Sequence, residues 1–210
     1  MYVPSSFQET GCQFLQDAIR QARLATLVTF GVDGLEASHV PVILDMGNES
    51  YGTIYGHLAR ENPQWRRVTA EVPALAIFQG PDAYITPSWY ATTRQTGKVV
   101  PTWNYVAVHA YGTIDFFDDP ERLLALVTDL TKLHESKRAE PWAVPDAPKE
   151  YTRSQLNGIV GFRLPIARLE GNWKLSQNRS ADDRSGVIDG LKREGGQAET
   201  AIAHLMTKKL

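Results

Sequence analysis

His57, Arg60 and Asn62 fall within six positions, in the stretch "IYGHLARENPQW" at 54–65. An imidazole, a guanidinium and a carboxamide at one strand-to-helix corner are suited to holding an anion. A helix N-terminus presents free N–H groups and a partial positive charge. Arg60 adds a planar fork that matches phosphate oxygens. His57 and Asn62 add donors. The purely structural alternative is that Arg60 pairs with a surface acid and Asn62 caps the helix.

Three further clusters carry groups of the right type. In "ASHVPVIL", Ser38, His39 and Val40 lie on one strand, with His39 on the face of Ala37 and Ile43. A histidine among apolar neighbours is either a ligand or a satisfied core residue. No two histidines sit at metal spacing, and no metal site is expected, although His39, His57 and His109 occupy three separate strands. In "PSWYATTRQTGKVVPTWNY", Trp89, Tyr90, Trp103 and Tyr105 flank Arg94 and Lys98. Such a set either covers a planar heteroaromatic ligand or forms an interface. In "GNWKLSQNRSADDR", Lys174, Gln177 and Asn178 supply donors with no core role, unless the segment is only a solvated loop. No Ser-His-Asp or Cys-His arrangement, G-x-G-x-x-G or phosphate loop occurs, so no catalytic residue is assigned. Tyr90, His109 and Lys98 are candidates by position alone.

The elements that must position these groups are read from periodicity. Residues 8–22 predict a helix with Phe14, Leu15, Ala18 and Ile19 on one face. "LATLVTF" (24–30), the turn "GVDG" and "LEASHVPVIL" (35–44) predict a hairpin, with Pro41 at an edge or bulge. Residues 51–57 predict a strand and 60–70 a helix. A strand at 73–80 is followed by a tight turn from 81, and 90–102 reads as a long loop. Residues 103–117 alternate as a strand, 120–135 as a helix with an apolar stripe, and 138–151 as a proline-bearing connector. A last strand at 158–171, a capped helix from Ser180 and a C-terminal helix around Ala198–Met206 complete the chain. About seven strands in a meander, with few helices between them, argue for an antiparallel barrel with helical decoration rather than a parallel sheet.

Composition narrows the partners. The hydrophobic share is 42% and the net charge −2, with no global basic field for nucleic acid or membrane. Residues 151–210 carry a net +4 and residues 1–150 a net −6, a modest asymmetry. The single cysteine, Cys12, excludes an internal disulfide. No window approaches the ~18 apolar residues of a membrane span, and "MYVPSSFQET" lacks the features of a signal peptide. A cytoplasmic protein is expected. No helix–turn–helix pair stands out, so no DNA recognition helix is evident.

Taken in order, "MYVPSSF", "SHVPVIL", "GHLARENPQW", "GPDAYITPSWY", "VPTWNY" with "VHAYG", and "WKLSQNR" resemble the PaiB family. Its members are called FMN-binding negative transcriptional regulators. The resemblance runs over about residues 1–191. It implies a mainly β, α+β fold with flanking helices: an antiparallel FMN-binding split β-barrel, shared with pyridoxamine-phosphate-oxidase-like flavoproteins. It also implies a homodimer with FMN at its interface; the connector at 138–151 does not separate two domains, so one domain over 1–210 is expected, with a C-terminal helical extension at about 180–208. By the same resemblance the His57–Asn62 corner receives the flavin phosphate, and Ser38–Val40 runs beside the isoalloxazine ring. The "WKLSQN" segment of the other subunit closes over the ring. The residues so implied for the cofactor are Ser38, His39, Val40, His57, Arg60, Asn62, Trp103, Lys174, Gln177 and Asn178. An FMN-dependent oxidoreductase, or a haem-binding barrel with a histidine ligand, are the competing functions.

Overall fold

A 3-10 turn at Ser5–Phe7 leads into a two-residue strand, β1 (Gln8–Glu9), and then helix α1 (Cys12–Gln21). The single helix expected from position 8 is therefore shorter. Gly11 interrupts it, and its N–H is held by the Glu9 carboxylate at 2.9 Å. Leu15 and Ile19 are buried, whereas Phe14 stays exposed. The computed structural model describes residues 1–22, 24–47, 50–69 and 71–208.

β2 (Ala25–Gly31) and β3 (Gly34–Val40) form the expected hairpin, in register from Ala25↔Val40 to Gly31↔Gly34. Val32 and Asp33 make the turn. Gly34 takes φ +108°, which a side chain would resist. Pro41 then does more than mark a bulge. With no N–H for a ladder, it is the point where the chain leaves one sheet for another. β4 (Val42–Asp45) pairs with β5 (Thr53–Ala59) instead.

The helix expected at 60–70 is one turn, α2 (Gln64–Arg67), behind Pro63; position 70 lies outside the described residues. The strand and tight turn expected from 73 are one continuous strand, β6 (Ala74–Ile85). Its buried positions are Ala74, Ala76 and Phe78, then Ala83 and Ile85. The phase shift between them is the mark of a bulge, which is where a strand tolerates Pro81. The expected loop after it holds a 3-10 turn at Pro87–Trp89 and α3 (Ala91–Gln95).

β7 (Thr102–Gly112) alternates as its sequence predicts, with Val106, Val108 and Ala110 buried. β8 (Asp115–Phe117) precedes α4 (Pro120–Glu135). The Asp119 carboxylate caps α4 by accepting from Arg122 N at 2.9 Å, and Leu123, Leu126 and Leu130 face inward. The expected connector contains a 3-10 turn (Val144–Asp146) and a short helix, α5 (Lys149–Leu156). The long last strand is two: β9 (Ile159–Pro165) and β10 (Arg168–Lys174). α6 (Ala181–Glu194) and α7 (Gln197–Lys208) end the chain.

The residues group into two compact units. The first comprises Met1–Leu15, Gln79–Val108 and Glu170–Leu210; the second comprises Gln16–Phe78 and His109–Leu169. β6 and β7 run from one into the other. In the first, β1 pairs antiparallel with β10 (Gln8↔Asn172), and β10, β7 and β6 are neighbours. α6 and α7 belong to this unit. Trp89 packs against α6 where Gly186 and Gly190 leave no room for a Cβ. In the second, β6, β2 and β3 are neighbours, and a separate antiparallel sheet runs β4-β5-β9-β8 with α4 against it.

Candidate functional site

Within the second unit the corner residues diverge. Asn62 turns toward the β2–β3 hairpin. Its Oδ1 accepts from Gln64 N at 3.0 Å, and its Nδ2 donates to Ser38 Oγ at 2.8 Å. Ser38 Oγ in turn donates to Gln64 Oε1 at 2.6 Å. Gln64 is buried, and its Nε2 reaches Thr29 Oγ1 (3.0 Å), Leu27 O (3.2 Å) and Glu36 O (3.3 Å). Ser38, Asn62 and Gln64 are thus one closed network that locks the corner to the hairpin. Sequence reading missed Gln64. Its signal was the "NPQ" turn, in which an Asn side chain accepts from the N–H two residues on.

His39 and Val40 lie on β3, which among the described residues has β2 as its one ladder partner. Val40 is buried, while His39 is exposed, so it is not a satisfied core histidine. Its Nδ1 lies 3.1 Å from Thr26 Oγ1. Thr26, Val28 and Phe30 on β2 stand opposite His39, Ala37 and Leu35 on β3, and Ile77 and Leu75 of β6 continue the row beside Thr26 and Val28. Together they form an apolar sheet face, exposed or half-buried at every one of these positions.

His57 points the other way, to the α4 side of its sheet. It lines an open pocket of about 290 Å³ with Pro41, Leu130, His134, Glu135 and Trp142. Its Nδ1 is buried with no hydrogen-bond partner. Burial also pushes the imidazole pKa down, so His57 is neutral near pH 7. Glu135 is already engaged, accepting from Arg138 Nε at 2.8 Å and Trp142 N at 3.1 Å.

Arg60 takes a third course. Its Nε donates to Asn157 O at 2.8 Å, and its Nη1 to the Asp118 carboxylate at 3.2 Å. This is the surface pairing weighed from the sequence. The Asp118 side chain is 66% exposed, so the pair is weak, and a guanidinium with five N–H donors keeps others free. The short α2 adds little helix dipole, so positive charge near this corner comes from arginine side chains: Arg60, and Arg66 and Arg67 of α2.

The other four expected residues lie in the first unit. Trp103 is half-exposed and meets Tyr84 edge to face at 5.9 Å. Lys174 Nζ donates to Thr102 Oγ1 (2.5 Å) and Trp103 O (2.6 Å). Burial, and then the nearby Arg179 charge, hold its pKa below the usual lysine value. Gln177 folds back on its own turn: Oε1 accepts from Leu175 N at 2.7 Å and Nε2 donates to Trp173 O. Its amide is consumed there, whereas Asn178 is exposed. Asn172 was not anticipated. It is 1% exposed, donates to Tyr105 Oη at 3.0 Å, and leaves Oδ1 buried without a partner.

The groups present fit a flavin mononucleotide. Within the second unit Arg60 retains donors of the kind a phosphate takes, and within the first Lys174 and Asn178 carry donors of the kind the polar edge of the ring takes, whereas His57 faces the α4-side pocket. The family described as "Putative FMN-binding domain" matches residues 1–168. The chain belongs to it. FMN is accordingly its cofactor, and the PaiB resemblance is supported over the whole length. The chain is 35% identical over 210 residues to the protease synthase and sporulation protein PAI 2 of Bacillus subtilis, covering 100% of this chain and 98% of that protein. It is 34% identical over 254 residues to an uncharacterized protein of Aspergillus fumigatus, covering 100% and 97%. Among solved structures, the FAD and heme binding protein from Mycobacterium smegmatis matches at 16% identity and TM-score 0.59, covering 90% of this chain and 80% of that one. The flavocytochrome Anf3 from Azotobacter vinelandii matches at 8% and 0.56, covering 85% and 75%. The fold class is the one expected, an antiparallel α+β chain of split-barrel type. Among the described residues no helix is long and apolar enough to cross a membrane.

Proposed function

We propose that this FMN-binding PaiB-type protein works in the cytoplasm as a homodimer, with the flavin at the subunit interface, and that flavin occupancy serves a regulatory role. The observation that carries the assembly is the apolar face built by β6, β2 and β3. Val28, Phe30, Leu35, Ala37, Leu75 and Ile77 expose apolar surface in register, and such a contiguous face marks an interaction site. A second copy seated on it removes that apolar surface from water.

In this reading the chain acts as one domain. Arg60 meets the flavin phosphate, Ser38–Val40 runs along the ring, and Lys174 and Asn178 of the partner subunit approach the ring's polar edge. Ser38 and Asn62 act through the network that fixes the corner. Gln177 acts through the turn it closes. Bound FMN supplies hydride and single-electron chemistry from its isoalloxazine ring. The protein's part is to hold, orient and shield it.

The regulatory reading rests on the relative whose name links it to protease synthesis and sporulation. The competing reading is an oxidoreductase, since flavin chemistry needs little beyond a positioned substrate. The visible spectrum of freshly purified protein, with the released chromophore weighed, is the first test. Flavin bands that release FMN support the reading. A haem band, or a colourless protein that refuses added FMN, overturns it.

A further inference from the structure

Ser176 is the one non-glycine residue with positive φ among the described residues, at +62°. An L-residue is held in that region only when its surroundings fix it there. Ser176 follows β10, inside the turn that carries Lys174, Gln177 and Asn178. What fixes it lies elsewhere in the chain. Asn104, on the inward row of β7 with Val106 and Val108, is 0% exposed. Its Nδ2 donates to Ser176 Oγ at 3.1 Å, and Ser176 Oγ donates to its Oδ1 at 3.1 Å. Asn104 Nδ2 also reaches Met206 Sδ of α7 at 3.4 Å, and Met206 is fully buried.

A carboxamide on the apolar row of a strand is costly unless each of its groups is matched. Here the matches are a hydroxyl in the turn and a thioether on the last helix. The turn is closed further from within, by the Gln177 amide on Leu175 N and Trp173 O and by Arg179 N on Ser176 O at 3.0 Å. The C-terminal helix and the turn are thus joined through one buried side chain.

We infer that Asn104, Ser176 and Met206 are positioning residues for the cofactor: α7, through Asn104, holds the Trp173–Asn178 turn in the shape that receives FMN. The inference rests on the proposed flavin site. The chain's own hydrogen bonds fix the turn's shape, so ordering it adds little to the cost of binding.

The test measures FMN dissociation constants by flavin fluorescence, together with amide exchange across 173–178 in the cofactor-free protein. Ser176→Ala keeps the strained backbone and removes its tether. It raises the Kd about ten-fold or more, as expected for loss of preorganisation, and speeds exchange in the turn. Ser176→Gly accepts positive φ without strain and falls between it and the wild type. Met206→Leu keeps volume and apolarity, so it folds, and shows a smaller rise in both readouts. A residue with only a structural role would lower the melting temperature and leave the Kd of the folded protein unchanged. Kd values within two-fold of wild type for both Ser176 variants, or unchanged exchange in the turn, overturn the inference. A wild-type chain that takes up no FMN sinks the flavin site itself; exchange across 173–178 that is no faster in Ser176→Ala than in wild type overturns the claim that Asn104 pins the turn.

Discussion

Arg60→Ala separates a phosphate ligand from a structural arginine. Two interactions hold the Arg60 side chain. The 3.2 Å pair with the largely exposed Asp118 is a surface ion pair, worth about 0–1 kcal/mol. The 2.8 Å bond from Nε to Asn157 O involves a charged donor, worth about 1.5 kcal/mol for a side chain that is partly exposed. Folding stability therefore drops by about 1.5–2.5 kcal/mol whether or not FMN binds at this corner. The cofactor effect is isolated by comparing FMN with riboflavin, which lacks the phosphate. If Arg60 meets the phosphate, FMN binding loses about 1.5–3 kcal/mol, a Kd increase of roughly ten- to over a hundred-fold. Riboflavin affinity hardly moves. Asp118→Asn supplies the opposite perturbation: it removes the carboxylate that competes for the guanidinium, and FMN affinity rises modestly. Fluorescence titration of both flavins against the three proteins reads all of this. Equal weakening of FMN and riboflavin in Arg60→Ala, with no gain in Asp118→Asn, refutes the phosphate assignment.

Gly190→Ala gains helix propensity in α6 but places a Cβ 2.3 Å from the Trp89 ring. Overpacking of about 1–3 kcal/mol exceeds the ~1 kcal/mol propensity gain, so urea unfolding shows a net loss. His57 has a folded pKa below its ordinary value of about 6.5, so the unfolded chain takes up the proton first as pH falls. The stabilising term is complete above that value and is lost as pH drops toward the folded pKa; His57→Phe flattens this slope in denaturation between pH 5 and 7. Burial pushes the Asp183 carboxyl up, but bonds from Thr92 N (2.9 Å) and Thr92 Oγ1 (2.8 Å), with help from Ser180 and Arg179, bring it below the usual carboxylate range. Its contribution is present above about pH 3.9 and is lost as pH falls below that, and Asp183→Asn costs about 1–3 kcal/mol at neutral pH by urea unfolding. Val28→Asp, at the centre of the β6-β2-β3 face, converts a dimer to monomer in sedimentation velocity; a wild type that already sediments as a monomer removes the shared-site proposal.

The strongly periodic elements were legible in the sequence. The alternation of β7 and the leucine stripe of α4 each repeat over several turns or pleats, and tertiary packing agrees with them. The changes of sheet were not legible. A period of two runs unbroken through Pro41, because both its flanks have a buried face, and the change of phase after Ile166 is too brief a signal to place the β9–β10 junction. β1 is two residues long, and its partner, Asn172 and Gly171 of β10, lies near the other end of the chain. Sequence gave the fourth cluster its donors but not their use, since Gln177 is spent on its own turn. At the corner, nearness in sequence does not mean a shared environment. His57 obeys the pleat of β5, Arg60 lies past the strand's end and Asn62 sits in a side-chain-closed turn, so three neighbours in sequence meet three different environments. Ser180 caps α6 as its sequence suggests, its Oγ accepting from Asp183 N at 3.2 Å, while the Asp183 carboxylate serves Thr92 rather than closing a reciprocal capping box.

Charge decides how a regulatory role can work. The chain carries −2, and a dimer carries twice that, so a DNA-bound form needs a local basic surface rather than a global one. α4 cannot serve as a recognition helix on its apolar side, because Leu123, Leu126 and Leu130 are committed to the core. The flavin is then the element able to bias an equilibrium. A ligand that binds one state stabilises it in proportion to the logarithm of its excess over Kd, so FMN level or oxidation state can shift assembly without any catalytic residue. A gel-shift titration at low salt, with and without FMN, distinguishes the two functions. DNA binding that changes with flavin favours regulation. Absence of binding in both, with rapid reduction of the bound flavin by a nicotinamide donor, favours an oxidoreductase.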